Sequence, residues 1–395
     1  MNSEILSKEV QRFINDNLSS NIHKILLKKS PFSNVTSKEL VEQIESKAKS
    51  KQKLPTWFAT KNIYQPNKLN LSQTSSEITA FYKASLLHGD TIADITAGLG
   101  VDSVAFSMKM NHVIHVEQNE ALSTIAKYNF KQLGVNNIEC VCTDGISFLK
   151  NSSNTFDWIY IDPSRRDKDN KKVYYLSDCE PNVTNKIDFL FSKSKNLLLK
   201  TGPLLDLNSG LKQLKNVKEI HIIAISNDVK ELLWILEKNY DKELVIKTVN
   251  FKNDTRQIFQ FNPNDEHSAI STNSLPRNYL YEPNAAILKS GAFQYIGNHY
   301  NLHKLHSNSH LYTSNTLISF PGRIFKILNT LGYSKKSIKK FDLKKANISK
   351  RNFPDSVEQI KKKLSLLDGG ESYLFCTTDL NQNLILINCT QIFEN

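Results

Sequence analysis

Short runs of β-branched and aromatic residues recur between residues 91 and 261: TIADIT, HVIHVE, IECVCT, FDWIYID, NLLLKT, EIHIIAIS, LVIKTVNF and RQIFQF. Between them lie segments with apolar residues at three- and four-residue spacing, such as NEALSTIAKYNFKQLG, which closes on Gly134, a glycine placed to end a helix. Parallel strands need crossover connections, so apolar strands separated by helices predict a parallel sheet covered on both faces. The last two runs follow one another with no room for a helix. One of them is therefore expected to run antiparallel.

The chain has 395 residues, more than one domain usually holds, and two or three domains are expected. Residues 1–85 read as a helical region. EILSKEVQRFINDNL and SKELVEQIESKAKS carry the helical period, and Thr36 and Ser37 offer N-caps to the second. Residues 86–262 hold the strand–helix alternation. The polar stretch NPNDEHSAISTNSLPRN reads as a linker. Two small α+β units are expected beyond it, 276–320 and 321–395, with SYLFCTT and NLILINCT as strands.

Composition excludes several classes. Hydrophobic residues make up 39% and charged residues 23%, and no window approaches the roughly 18 apolar residues that a membrane span requires. The opening MNSEILSKEVQRF lacks the basic start and apolar block of a signal peptide. The five cysteines form no CxxC pair and no zinc-type spacing with histidine, so a reduced, cytoplasmic chain without structural metal is expected. Its oligomeric state is not readable.

The formal net charge of +12 is unevenly spread. Residues 323–363 hold thirteen basic and three acidic residues, a local +10 over 41 positions, interleaved with Phe325, Tyr333, Phe341 and Phe353. Lysines and arginines give salt-dependent affinity for a phosphate backbone, and aromatics can stack unpaired bases. The plainer alternative is a solvated helix face with the aromatics on its core side.

A glycine turn follows the first strand run, in 94-DITAGLGVDS-103. Such a turn lets backbone approach a ligand, and the helix it opens offers unpaired N–H groups. The dinucleotide fingerprint GxGxxG is incomplete, since Ser103 stands where the third glycine belongs. Four successive strand runs end in Asp94, Glu117, Asp144 and Asp162, and ligands of open α/β sheets bind at that edge. Glu117, 19 residues after Gly98, suits ribose hydroxyls, and Asp144 suits an adenine amino group. Four carboxylates on one rim would repel a pyrophosphate and attract a sulfonium and an amino group, which favours S-adenosylmethionine. Capping of the following helices is the competing role for each acid.

The residues 94-DITAGLGVDS-103, Glu117, 143-TDG-145 and 162-DPSRR-166 resemble class I S-adenosylmethionine-dependent methyltransferases. More narrowly, 72-SQTSSEITAFYKA-84, 162-DPSRR-166, 281-YEPNAAILKSGAF-293 and 346-ANISKRNFP-354 are similar to the bacterial methyltransferases that carry a C-terminal THUMP-like domain. The resemblance implies a Rossmann-like core after the helical region, a small ferredoxin-like segment and a basic terminal module related to an RNA-binding fold. It also implies that Asp94, Gly98 and Gly100 hold the methionine moiety, Glu117 the ribose and Asp144 the adenine, with Gln73, Ser75 and Ser76 approaching from the amino-terminal side.

Methyl transfer from a sulfonium is an in-line displacement, for which an enzyme supplies positioning, desolvation and acceptance of a proton. Asp162 and Pro163 occupy the place of the acid and proline in [DN]PP[FYW], whose aromatic ring stacks on the target base, but Ser164 and Arg165 follow here. Arg165 and Arg166 can clamp a phosphate or pair with Asp167 and Asp169. No cysteine adjoins Asp162, and Cys179 reads as a small buried residue. The expected activity is methylation of a base in structured RNA, transfer or ribosomal, with the RNA held by the 323–363 segment and with no membrane partner. A methyltransferase acting on protein or a small molecule, and a non-catalytic RNA-binding protein with a retained cofactor pocket, stay open.

Overall fold

A computed structural model describes residues 1–164, 176–253, 255–341 and 343–393. The chain divides into two compact units, residues 1–217 with 234–241, and residues 218–233 with 242–395.

The first unit opens with α1 (Lys8–Asp16), α2 (Ile22–Leu26), α3 (Ser37–Lys53), α4 (Pro55–Ala59), α5 (Lys68–Gln73) and α6 (Glu77–Ser85). Thr36 caps α3 in a reciprocal box with Glu39, so two otherwise orphaned N–H groups are satisfied. These helices bury Ile5, Val10, Ile14, Val35, Leu40 and Ile44 together. Ile125 and Tyr128 of α8 (Glu120–Gln132) pack against that cluster, and the Asn129 side chain pairs with both the N–H and C=O of Tyr64. The helical region thus shares one unit with the sheet that follows.

That sheet contains β1 (Thr91–Asp94), β2 (His112–Val116), β3 (Ile138–Val141), β4 (Phe156–Ile161) and β5 (Ser194–Thr201). The crossovers are α7 (Val101–Ser107), α8 (Glu120–Gln132), α9 (Gly145–Asn151) and α10 (Ile187–Lys193), and α11 (Leu207–Gln213) follows β5. The strand order is β3-β2-β1-β4-β5, parallel throughout, with Asp94 in register with His115 and Tyr160. First-strand residues therefore sit mid-sheet, and the carboxyl ends of β1, β2, β3 and β4 share one edge, as expected for an α/β sheet that binds ligands there.

β6 (Val217–Ile225) and β7 (Asp228–Glu237) are joined by Ser226 and Asn227, both at positive φ (49° and 64°). A two-residue connection of that kind leaves only an antiparallel hairpin. β7 is absent from the strand runs read in the sequence. Its residues 234–237 belong to the first unit, where the Trp234 indole N–H donates to Thr201 Oγ1 at 3.0 Å.

In the second unit β6 pairs in parallel with β8 (Val245–Lys252), which pairs antiparallel with β9 (Thr255–Phe261), matching the orientation expected for the last two runs. The stretch expected as a linker is ordered. It holds α12 (Pro263–Ser268), capped by Asn262, and the Glu266 carboxylate accepts the backbone N–H groups of Phe293, Gln294 and Tyr295. After it come β10 (Tyr279–Pro283), α13 (Ala285–Ser290), α14 (Tyr295–His299), β11 (His303–Lys304), β12 (Tyr312–Ser314), β13 (Gly322–Gly332), α15 (Lys335–Phe341), β14 (Lys345–Arg351), α16 (Val357–Leu364), β15 (Leu367–Thr378) and β16 (Leu384–Ile392). Their strands form one sheet of order β11-β12-β10-β13-β16-β15-β14, antiparallel except for the parallel pair β14 and β15.

Because Glu266 satisfies three N–H groups at once, Glu266→Ala should lower stability by about 1–3 kcal/mol. Urea melts that coincide for parent and variant would return residues 263–268 to the status of a passive tether.

Candidate active site

The β1 edge turns through 95-ITAGLG-100 into α7, with Gly98 at φ 57° and Gly100 at φ 84°. A methyl group built on Gly100 would lie 2.3 Å from the Phe130 ring, so only glycine fits there, whereas one built on Gly98 would meet nothing within 4 Å. The Gly98 side of the turn is open, and that is where a ligand can approach the backbone.

The turn is held from both sides. The Gly98 N–H donates to Glu117 Oε2 at 2.9 Å, and the Asn119 N–H donates to Glu117 Oε1 at 2.7 Å. Beneath it, His115 Nε2 lies 3.3 Å from the Gly98 carbonyl. Burial pushes the His115 imidazole down to about 4, so the ring is neutral. A carbonyl only accepts, so Nε2 carries the proton and Nδ1, buried without a partner, is the bare nitrogen.

The four strand-end acids have different fates. Asp94 is fully buried, takes a 2.6 Å hydrogen bond from Ser103 Oγ, and is raised to about 8 by burial, so its carboxyl is neutral at pH 7. Asp162 is about a third exposed and pairs with Lys200 Nζ at 2.5 Å, while its N–H donates to Thr96 Oγ1 at 2.7 Å. Glu117 is half-buried and organised by backbone donors. Asp144 caps α9, accepting from the Ser147 N–H at 2.8 Å, which is the capping role weighed against a ligand contact. The expected rim of four negative charges is therefore corrected: one acid holds its proton and another is neutralised by a lysine.

Pro163 is buried and Ser164 exchanges backbone hydrogen bonds with Glu180. Arg165 and Arg166 fall outside the described residues. Gln73 ends α5 and is exposed, and Ser76 caps α6 by accepting from the Thr79 N–H. The Ser75 hydroxyl is engaged within the protein: it donates to Asp102 Oδ2 at 2.7 Å and accepts from Lys83 Nζ at 2.8 Å. Cys179 is buried, as read.

Sequence reading missed the charges underneath. Lys83 of α6 is wholly buried and meets Asp102 Oδ1 at 3.0 Å, and the Tyr160 hydroxyl donates to Asp102 Oδ2 at 3.0 Å. Burial works to raise the Asp102 carboxyl, but Lys83, Lys200 and the Ser75 hydrogen bond outweigh it and hold it below the usual range. Among the described residues no cluster of His, Cys, Asp or Glu is arranged to hold a metal, and no helix is long and apolar enough to cross a membrane. Surface cavities of ≈540 Å³, lined by residues such as Ser209 and Lys212, and ≈480 Å³, lined by residues such as Phe13 and Lys28, include none of the rim residues.

In the second unit, the basic segment resolves into a helix and strands. Lys335, Lys336, Lys339 and Lys340 lie exposed on α15, while Ile338 packs inward. Phe353 is a core residue of one cluster, against which Tyr333 and Phe341 pack, and Phe325 is a core residue of a second. The four aromatics are thus not a stacking platform, because the small unit needs them to build its interior.

Family models match residues 72–181 (Conserved hypothetical protein 95), 279–321 (ferredoxin-like domain) and 322–391 (THUMP domain-like). A crystal structure from Porphyromonas gingivalis W83, of a protein assigned by name as a methyltransferase, is 30% identical, with a TM-score of 0.89 and 99% of both chains covered. The chain belongs to the class I S-adenosylmethionine-dependent methyltransferases that carry a C-terminal THUMP-like domain. Two curated relatives carry the name uncharacterized RNA methyltransferase. One, from Thermotoga maritima, is 37% identical over 97 residues, 24% of this chain and 22% of its own length. The other, from Mycoplasma mobile, is 24% identical over 163 residues, 38% of this chain and 45% of its own length. The methyltransferase thus spans less than half of either relative.

Two outcomes test the site's electrostatics. Removing the cation in Lys83→Met leaves Asp102 buried without its direct ion-pair partner and should cost about 3–5 kcal/mol, part of it recovered in Lys83→Met/Asp102→Asn. A single-variant loss below 1 kcal/mol would mean that water reaches the pair. For Asp94, the folded carboxyl keeps its proton to about pH 8, whereas the unfolded one releases it near its ordinary value of about 4. The folded state binds more protons between those values, so this group makes stability fall as pH rises, by at most about 1.4 kcal/mol per pH unit. Asp94→Asn should remove that slope in urea melts at pH 6, 7 and 8; an unaltered slope would show that Asp94 is ionised.

Proposed function

We propose that this methyltransferase methylates a base in structured RNA, using Asp162 as the group nearest the methyl acceptor. The observation that carries the reading is the open, left-handed Gly98 turn, organised by Glu117 at the carboxyl edge of a parallel sheet. Its partner on the same chain is a module whose lysines face solvent. The names of the curated relatives support RNA as the substrate.

The residues fit the cofactor. Gly98 leaves room beside the backbone, and each Glu117 oxygen, bonded once to a backbone N–H, keeps acceptor capacity for a ribose hydroxyl. Asp144 spends one oxygen on its helix and has the other for an amino group. Asp94, neutral and buried, acts through Ser103 on the first turn of α7 rather than as a charge. Gln73, Ser75, Ser76 and Gly100 serve by shaping the approach, Ser75 through Asp102. When bound, the cofactor supplies an electrophilic methyl group on a sulfonium.

Lys200 fixes Asp162 Oδ2, which leaves Oδ1 to accept a hydrogen bond from the acceptor group and orient it for in-line attack. Pro163 stiffens the chain just after it. Arg165 follows in sequence as a candidate phosphate contact. Because Arg165 stands where the ring of [DN]PP[FYW] would be, the base is held without a stacking aromatic at that position.

Glu117→Ala should weaken cofactor binding by about 1–3 kcal/mol in calorimetry. Asp162→Ala should bind the cofactor within a few-fold of the parent yet fail to move a labelled methyl group into total cellular RNA. If Asp162→Ala transfers at the parental rate, the acid only pairs Lys200. If the parent binds the cofactor and RNA but labels nothing, the non-catalytic reading replaces this one.

A further inference from the structure

Two stretches singled out in the sequence, 281-YEPNAAILKSGAF-293 and 346-ANISKRNFP-354, have no part in the cofactor site. They meet in the second unit at Glu282 on β10 and Arg351 at the end of β14. The Glu282 side chain is 3% exposed and serves two guanidinium groups. Arg351 Nη2 donates to Oε1 at 2.7 Å, and Arg323 Nε donates to Oε2 at 2.6 Å, with Arg323 Nη2 also on Oε2. The arrangement is built closely: Glu282 is in register with Arg323, and a methyl group on the adjacent Gly322 would lie 2.1 Å from the Glu282 carbonyl oxygen. Glycine is what lets β13 close on β10 at this point.

One buried carboxylate against two guanidiniums leaves an excess positive charge. Both arginine side chains are about a third exposed. Each guanidinium has five N–H donors. Arg323 spends its donors on Glu282 and, at 3.5 Å, on Ser349 Oγ, and Arg351 spends its own on Glu282 and the Lys350 carbonyl, so donors remain on both. Arg323 also lies over the Phe325 and Tyr373 rings, 5.4 and 5.9 Å from their centroids, which limits its freedom further. An immobilised, partly exposed guanidinium pair with unused donors is chemically matched to a phosphate, whose oxygens take forked N–H groups.

We propose that Arg323 and Arg351, held by Glu282, form a binding site for a backbone phosphodiester of the substrate. This rests on the reading that the substrate is RNA. The site joins the ferredoxin-like match, which supplies Glu282, to the THUMP-like match, which supplies both arginines. It differs from the α15 lysines, which are long, exposed chains that contribute charge without a fixed geometry.

The test uses the full chain and a fluorescent single-stranded (U)20 oligonucleotide. Phenylglyoxal, which modifies accessible arginines, should label Arg323 and Arg351 in the free chain, and bound oligonucleotide should protect both when peptides are mapped by mass spectrometry. In parallel, the log–log slope of affinity against salt should be shallower by about 0.7 in Arg351→Gln, the loss of one phosphate contact on a single strand. Oligonucleotide that binds without protecting either arginine, or arginines that the reagent cannot reach in the free chain, would overturn the site and leave the RNA reading standing. A chain that binds no RNA at all instead removes the RNA reading, and the phosphodiester site with it. Should Arg351→Gln fail to fold, the protection experiment on the unmodified chain decides alone.

Discussion

The active edge of this methyltransferase depends on buried charge that has been compensated. Lys83, wholly buried on α6, is stable there because Asp102 of α7 meets it at 3.0 Å and because Ser75 and Tyr160 supply further hydrogen bonds. An uncompensated ion at that depth would cost several kcal/mol, so the pair ties α6, α7 and β4 into one arrangement. The segment before the first strand is thereby fixed against the helix that the glycine turn opens.

The same principle changes the electrostatics of the rim. Sulfonium recognition by four like charges would require four carboxylates to stay ionised side by side, which their mutual repulsion and burial oppose. The protein protonates Asp94 and pairs Asp162 with Lys200. What remains is directional: two backbone donors fixed on Glu117, a left-handed turn open at Gly98, and, among the described residues, one oxygen on each of Asp144 and Asp162 outside the contact that holds the acid. Specificity at such an edge comes from placed acceptors more than from net charge.

The sequence displayed the parallel strands because a buried parallel strand is a continuous apolar run with few alternatives. It hid β7, since 228-DVKELLWILE-237 carries apolar residues at spacings that suit a helix as well as a strand, and the Ser226–Asn227 turn lacks the usual glycine. It hid Lys83 because a lysine on a helix is read as solvent-facing; the signal was its place between Tyr82 and Ala84 on an apolar helix. Lys200 was legible in principle, as a polar residue closing the apolar run NLLLKT at the ligand edge. In the terminal module, composition revealed the charge but could not tell a stacking aromatic from a core one, because both lie at the same sequence spacing. Glu282 with its two arginines arises from strands far apart in sequence, which no local pattern encodes.

The central claim is that this chain places methyl groups on RNA. Mass spectrometry of nucleosides from cells with the gene, without it, and restored with the parent or with Asp162→Ala tests it most directly. The account predicts that one methylated base disappears with the gene, returns with the parent and stays absent with the variant. Identical nucleoside profiles in all four, with gene-dependent methyl groups found instead in protein or small molecules, would contradict it.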